Sequence, residues 1–310
     1  MLSILLGLVL LVAGGEALVR GAVALASRLG VSPLLIGLTV VGFGTSTPEL
    51  VTSLQAAFND APGIAVGNVV GSNTANILLI LGVGALIAPL AVGRGAFRRD
   101  GTVLVIATVA AIAVVLSGTL SRGAGLLLVL GLVAYLVFAY FSERDAPSEA
   151  LPDGVEKPLR TGLPLALAYA LGGILVTVLG ARFLVGGATD LATAWGVSDA
   201  VIGLTIVAVG TSLPELVTAV VASVRRQPDV AFGNVVGSNI YNVLGILGAT
   251  ALIRPIPVPE QISGFDVWIM AGATLALLAV AITGWRITRA EGAALLATYL
   301  AYVGWLAATM

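Results

Sequence analysis

Apolar residues dominate the chain in long runs, interrupted at intervals by glycine, proline and isolated charges. An α-helix needs roughly 20 residues to cross a hydrocarbon core. By that measure ten stretches qualify, near 3–26, 33–57, 64–88, 101–118, 123–141, 162–189, 200–223, 230–252, 266–285 and 291–309. Runs such as Thr102–Ser117 and Gly123–Phe141 are continuous rather than alternating. A membrane barrel would show short segments of period two, and unpaired backbone groups are too costly in lipid for any open sheet. The pattern therefore predicts an all-α integral membrane protein with ten transmembrane helices. The first begins Met-Leu-Ser-Ile-Leu-Leu, with no basic residue before Arg20. A cleaved signal peptide starts with positive charge, so this segment reads as a helix that is kept.

One polar stretch divides the chain. Residues 142–160 hold Glu143, Arg144, Asp145, Glu149, Asp153, Glu156, Lys157 and Arg160 together with prolines. The halves on either side are repeats at a shift of 166. Gly37–Leu50 (GLTVVGFGTSTPEL) and Gly203–Leu216 (GLTIVAVGTSLPEL) agree at ten of fourteen positions, as do Ala65–Leu78 (AVGNVVGSNTANIL) and Ala231–Leu244 (AFGNVVGSNIYNVL). The shared residues are Gly, Thr, Ser, Pro, Glu and Asn, not only the Leu, Val and Ala that any two apolar helices share. Residues 1–141 form the first five-helix repeat, with its motif region at 37–82. Residues 142–160 are a linker, and 161–310 form the second repeat, with its motif region at 203–248. Five spans are an odd number, so the second copy must lie upside down in the membrane, an arrangement typical of transporters with a substrate site near the midplane. Basic residues favour the cytoplasmic side. Twelve of the fifteen Lys and Arg fall on one side of this layout, which predicts a multi-pass cell-membrane protein with both termini outside and the linker in the cytoplasm.

Composition narrows the chemistry. The chain has 310 residues, 58% hydrophobic and 10% charged, with a net charge of −1 and a mean hydropathy of +1.08. A soluble domain carries roughly 25% charged residues, so the lipid bilayer is the expected surrounding. Nothing in the charge suggests nucleic acid. There is no Cys and no His, which removes disulfides, thiolate sites, the usual general base and the commonest zinc ligand. No nucleophile–base pair for an intramembrane enzyme is visible.

Within this apolar background Glu49 and Glu215 stand out. They occupy matching places in the second and seventh spans, where a carboxylate costs at least about 2.5 kcal/mol. Pro48 and Pro214 precede them and cannot donate to the carbonyls of Gly44 and Gly210. Each helix should therefore break beside its glutamate and free carbonyl oxygens for cations. Thr45 and Ser46 precede Glu49 at spacings that share a broad helix face, and Thr211 and Ser212 repeat this before Glu215. The third and eighth spans add polar stripes, Asn68, Ser72 and Asn76 on one and Asn234, Ser238 and Asn242 on the other. Ser72, Asn76, Ser238 and Asn242 are read as site residues. For Asn68, Asn73, Asn234 and Asn239 hydrogen bonding between helices is the expected role. Gly67, Gly71, Gly233 and Gly237 have small-xxx-small spacing that lets backbones approach. All the candidate ligands are hard oxygens, which suit Ca²⁺, Na⁺, Mg²⁺ or Mn²⁺ rather than copper or zinc. Ca²⁺ takes six to eight oxygens in flexible geometry, whereas Mg²⁺ keeps its waters. Glu16 and Arg20 are spaced for a helix ion pair.

GTSTPEL with GNVVGSNTANIL, and GTSLPEL with GNVVGSNIYNVL, resemble the two alpha-repeats of the calcium/cation antiporter superfamily, and most of all those of prokaryotic sodium/calcium exchangers. The resemblance covers nearly the whole chain. It implies ten helices in two inverted five-helix repeats, with cation sites clustered at midplane. By matching positions it implies a calcium site at Glu49 and Glu215 with the backbone oxygens of Thr45 and Thr211. Sodium sites would use Ser46, Ser72, Ser212 and Ser238 with carbonyls near Gly42 and Ala208, and Asn76 and Asn242 would line a middle position. Some members carry an acid where Asn242 stands. Proton-coupled relatives tend to carry His near the acidic motif, and this chain has none, which argues against proton coupling.

The expected function is Na⁺/Ca²⁺ antiport by alternating access, electrogenic at the three sodium per calcium that the resemblance implies. Exchange of H⁺ for Ca²⁺ is the alternative. A passive channel fits less well, because channel pores usually form on an axis between subunits. No cofactor and no obligate protein partner are expected; the ligands are the transported Ca²⁺ and Na⁺.

Overall fold

A computed structural model of the chain describes residues 2–59, 61–144, 162–195 and 208–309. The linker beyond residue 144 and the start of the seventh expected span lie outside these residues. The regular structure of the described chain is helical apart from four two-residue strands. In order these are α1 (Leu2–Leu29), α2 (Pro33–Thr45), α3 (Thr47–Phe58), α4 (Pro62–Ile87), β1 (Leu90–Ala91), α5 (Arg94–Leu116), β2 (Thr119–Leu120) and α6 (Arg122–Arg144). The second half contributes α7 (Leu163–Ala194), α8 (Ala208–Thr211), α9 (Leu213–Val224), α10 (Pro228–Ile253), β3 (Ile256–Pro257), α11 (Ile262–Ile282), β4 (Arg286–Ile287) and α12 (Arg289–Thr309).

Among the described residues seven helices are long and apolar enough to cross a membrane, and α2 with α3 makes an eighth if the bent pair is one span. The count of ten expected from hydropathy is thus reached only in part. Of the other two expected spans, α9 continues a stretch whose beginning is outside the described residues, and α12 is a further helix of 21 residues.

Local sequence explains where these helices begin and break. Pro33 opens α2, with the Ser32 side chain accepting from the Leu35 amide at 3.1 Å, a paired use of an N-cap and a first-turn proline. Pro62 and Pro228 open α4 and α10 at the same first-turn position, there without a side-chain cap. Between α2 and α3 the axis turns by 44° at Ser46, because Pro48 brings no amide hydrogen to the preceding turn. Gly118 and Gly284, 166 positions apart, take positive φ of 76° and 83° where the chain turns after α5 and α11, a conformation that only glycine adopts without cost.

The two helices that carry the asparagine stripes lie at the centre. In α4 and α10, 72% and 78% of the apolar window is buried, against 28% to 39% in α1, α5, α6, α7 and α11. The outer helices turn Leu5, Val9, Leu127, Phe138, Leu171 and Leu275 outward, as lipid-facing helices do. Against α10 the backbone of α2 comes very close: a Cβ at Gly233 would lie 2.7 Å from the Leu34 carbonyl oxygen and 3.1 Å from the Gly37 Cα. Gly237 is pressed against Leu38 in the same way. Gly71 has no described atom within 4 Å of the place a Cβ would take, and Gly67 meets only Ile262 Cδ1 at 3.7 Å. Among the described residues the close approach is seen at Gly233 and Gly237. The residues matching Leu34 and Gly37 at the 166 shift are Ala200 and Gly203, which are not among those described.

Candidate cation site

The site is assembled where the bends of the two halves meet the central helices. Thr45 ends α2, Ser46 sits in the break, and Glu49 lies in the first turn of α3. Thr211, Ser212 and Glu215 take the same positions at the end of α8 and the start of α9. Thr45 and Glu49 thus lie on successive helices rather than on one helix face. Both glutamates are 1% exposed, and Ser46, Ser212, Thr45, Asn76 and Asn242 are buried with them.

The halves exchange hydrogen bonds across the centre. Ser46 Oγ donates to Glu215 Oε1 at 2.7 Å, and Ser212 Oγ donates to Glu49 Oε1 at 3.3 Å. Each carboxylate therefore has one oxygen tied to the serine of the other half. Among the described residues the second oxygens, Glu49 Oε2 and Glu215 Oε2, are buried with no hydrogen-bond partner. Asn76 Oδ1 and Asn242 Oδ1 are in the same state. A buried acceptor left unmade costs about 1–3 kcal/mol, and more when charged. These four oxygens belong to residues that the repeat places in pairs.

The remaining asparagines hold the scaffold, as the reading of interhelical bonding expects. Asn68 Nδ2 donates to the Glu49 carbonyl at 3.0 Å and to Ser53 Oγ at 2.9 Å. Asn234 Nδ2 donates to the Glu215 carbonyl at 3.2 Å, and its Oδ1 accepts from Thr45 Oγ1 at 3.1 Å. Each glutamate is thus fixed by its backbone to the central helix behind it. Ser238 Oγ donates to the Gly42 carbonyl at 3.3 Å, which puts those two candidate ligands side by side. Ser72 is 7% exposed on α4, and Ala208 begins α8. Glu16 pairs with Arg20 as its spacing suggests, and also takes Arg225 from α9's end, with Arg225 Nε donating to Glu16 Oε2 at 2.8 Å. Nothing local in the sequence pointed to that second partner.

Among the described residues no three acidic, His or Cys side chains gather at one place. The centre is two carboxylates plus neutral oxygens. That donor set suits a weakly held hard cation rather than a permanent transition-metal ion.

Residues 1–141 and 165–308 match the family described as sodium/calcium exchanger protein. The chain belongs to that family. Its relatives in it are transporters. The chain is 37% identical to the sodium/calcium exchanger MaX1 of Methanosarcina acetivorans, with 97% of each chain covered. It is likewise 37% identical to the putative antiporter CaxA of Alkalimonas amylolytica, over 96% of each. Solved structures of the sodium-calcium exchanger NCX_Mj superpose with a TM-score of 0.85 at 32% identity, over 97% of each chain. This exchanger-family chain is therefore a multi-pass membrane transporter of the calcium/cation antiporter group.

Neither the π-helical segments nor the crossed serine–glutamate hydrogen bonds leave a mark in the sequence pattern. Asn76–Leu81 and Asn242–Leu247 are π-helical, each starting at the asparagine whose amide oxygen is unpartnered. Such bulges recur at functional sites, because the extra residue re-aims side chains.

Proposed function

We propose that the protein exchanges Na⁺ for Ca²⁺ across the membrane, with the cations held in turn by the oxygens around Glu49 and Glu215. The observation that carries this reading is the set of four buried oxygens without partners: Glu49 Oε2, Glu215 Oε2, Asn76 Oδ1 and Asn242 Oδ1. Ca²⁺ would be held by the two carboxylates with the oxygens of Thr45 and Thr211. Sodium ions would use Ser46, Ser72, Ser212 and Ser238 with the carbonyls of Gly42 and Ala208. Asn76 and Asn242 would line the middle of the cluster.

An inverted pair of five-helix repeats, ten spans in all, belongs to the same proposal. In its support, the first helices of the two halves run antiparallel: Gly7 packs near Leu184, Gly14 near Thr177 and Gly21 near Ala170. The small sheets link the halves in matching fashion: the 166 shift takes β1 onto β3, and β1 pairs with β4 as β3 pairs with β2, both antiparallel. Asn73 bonds Asn239, and Thr108 Oγ1 lies 3.2 Å from Thr274 Oγ1. Each is a pair of matched positions in contact, as residues on a two-fold axis must be. Two inverted halves around one enclosed site give alternating access by rocking of one part against the other.

Tracer exchange distinguishes an antiporter from a pore. Unlabelled Ca²⁺ inside proteoliposomes should accelerate ⁴⁵Ca²⁺ entry, because a loaded carrier returns faster than an empty one. Entry that is indifferent to internal Ca²⁺ would reject antiport in favour of a channel.

A further inference from the structure

A side-chain amide can turn either its oxygen or its NH₂ toward a cation, and the two ends act with opposite sign. Asn76 and Asn242 face this choice in a buried setting, and the structure contains a device that makes it for them. Asn76 Nδ2 donates to Asn239 Oδ1 at 2.9 Å, and Asn242 Nδ2 donates to Asn73 Oδ1 at 3.0 Å. Asn73 and Asn239 are themselves locked together. Asn73 Nδ2 donates to the Asn239 carbonyl at 3.2 Å, and Asn239 Nδ2 donates to the Asn73 carbonyl at 3.3 Å. They are 2% and 0% exposed. Their amides cannot turn over without setting an oxygen against a backbone oxygen. Their Oδ1 atoms therefore stay turned toward Asn76 and Asn242, and the NH₂ ends of those two residues are held there. Among the described residues the amide oxygens of Asn76 and Asn242 are left buried and unpartnered.

We propose that Asn73 and Asn239 are positioning residues that fix the amides of Asn76 and Asn242 with their oxygens toward the transported cations. This rests on the proposed cation site. Asn73 and Asn239 are not ligands, because both ends of each amide are engaged by the opposite helix. Their effect passes through Asn76 and Asn242.

The test is a double-mutant cycle read as the half-saturating Ca²⁺ concentration of the full-length protein, by calorimetry in detergent without Na⁺. Asn239→Leu removes the acceptor that holds Asn76, and Ca²⁺ binding should weaken about tenfold, the scale of one lost hydrogen bond to a buried group. Asn76→Asp should also weaken binding in the native background, because its carboxylate would meet Asn239 Oδ1. Combined, the two changes should bind better than either alone, since a carboxylate presents oxygen whichever way it turns. A plain packing role for Asn239 gives losses that add, and additive losses overturn the proposal. So does tighter binding by Asn76→Asp alone. If Asn239→Leu does not purify as a folded protein, Asn73→Leu with Asn242→Asp gives the same cycle on the other half. Should both leucine variants fail to fold, the Asn76→Asp and Asn242→Asp arms still decide. The Glu49→Gln variant separates this inference from the site it rests on: if it binds Ca²⁺ like the native protein, the site itself is wrong. If Glu49→Gln loses binding while the asparagine cycle is additive, only the positioning role fails.

Discussion

Glu49→Gln and Glu215→Gln should each lower Ca²⁺ transport by at least about 30-fold while leaving a folded, membrane-inserted protein. Each glutamate supplies half the formal charge at the centre. Each is 1% exposed, so no solvent counter-charge replaces what is lost. Breaking one buried charge pairing costs about 2–5 kcal/mol, and the lower bound is the stated factor. Glutamine keeps the length and one acceptor oxygen, so the hydrogen bonds from Ser46 to residue 215 and from Ser212 to residue 49 can persist. The backbone bonds from Asn68 and Asn234 to the two carbonyls do not involve the carboxyl groups at all. Neutralising one of two facing carboxylates also removes their mutual repulsion in a low-dielectric centre. The ion-free variants should therefore melt no lower than the parent. Uptake of ⁴⁵Ca²⁺ and size-exclusion profiles check both halves of this expectation. Near-normal uptake by either variant would rule out a site built on both glutamates.

The second large effect concerns voltage. One Ca²⁺ cancels the two carboxylate charges, and two Na⁺ would do the same. The hydroxyls of Ser46, Ser72, Ser212 and Ser238 offer more oxygen sites than two sodium ions need. The family resemblance implies three, which would leave a charge of +1 crossing with sodium. One elementary charge crossing 100 mV is worth about 2.3 kcal/mol, or roughly 50-fold in the equilibrium Ca²⁺ accumulation. With Na⁺ leaving and Ca²⁺ entering, net positive charge moves outward, so a lumen-positive potential should favour uptake. Proteoliposomes clamped with valinomycin and K⁺ measure this directly. Accumulation that does not respond to the clamp would reject three sodium ions in favour of two.

Most of what positions the site could be read along the chain, because its residues are costly in lipid. A glutamate after a proline at membrane depth, and asparagine and serine at every fourth place of an apolar helix, stand out against Leu, Val and Ala. The 166-residue shift then tied the two sets together. What the chain order hides is whatever depends on partners far apart. The crossing of Ser46 to Glu215 and Ser212 to Glu49 requires knowing how the halves dock. The ring of Asn73 and Asn239 requires α4 and α10 to meet at matched positions. Glu16 and Arg225 are 209 residues apart. The π-helical turns at Asn76 and Asn242 leave no mark on a hydrophobic period of 3.6, since every residue around them is apolar or small.

The most direct measurement is ⁴⁵Ca²⁺ uptake into proteoliposomes of the purified protein under one imposed gradient at a time, with the membrane potential clamped at zero. An outward Na⁺ gradient at equal pH should drive Ca²⁺ above its equilibrium level, and a pH gradient in the absence of Na⁺ should not. Uptake driven by the pH gradient alone, with none driven by Na⁺, would contradict sodium–calcium exchange and assign the protein to proton-coupled calcium transport.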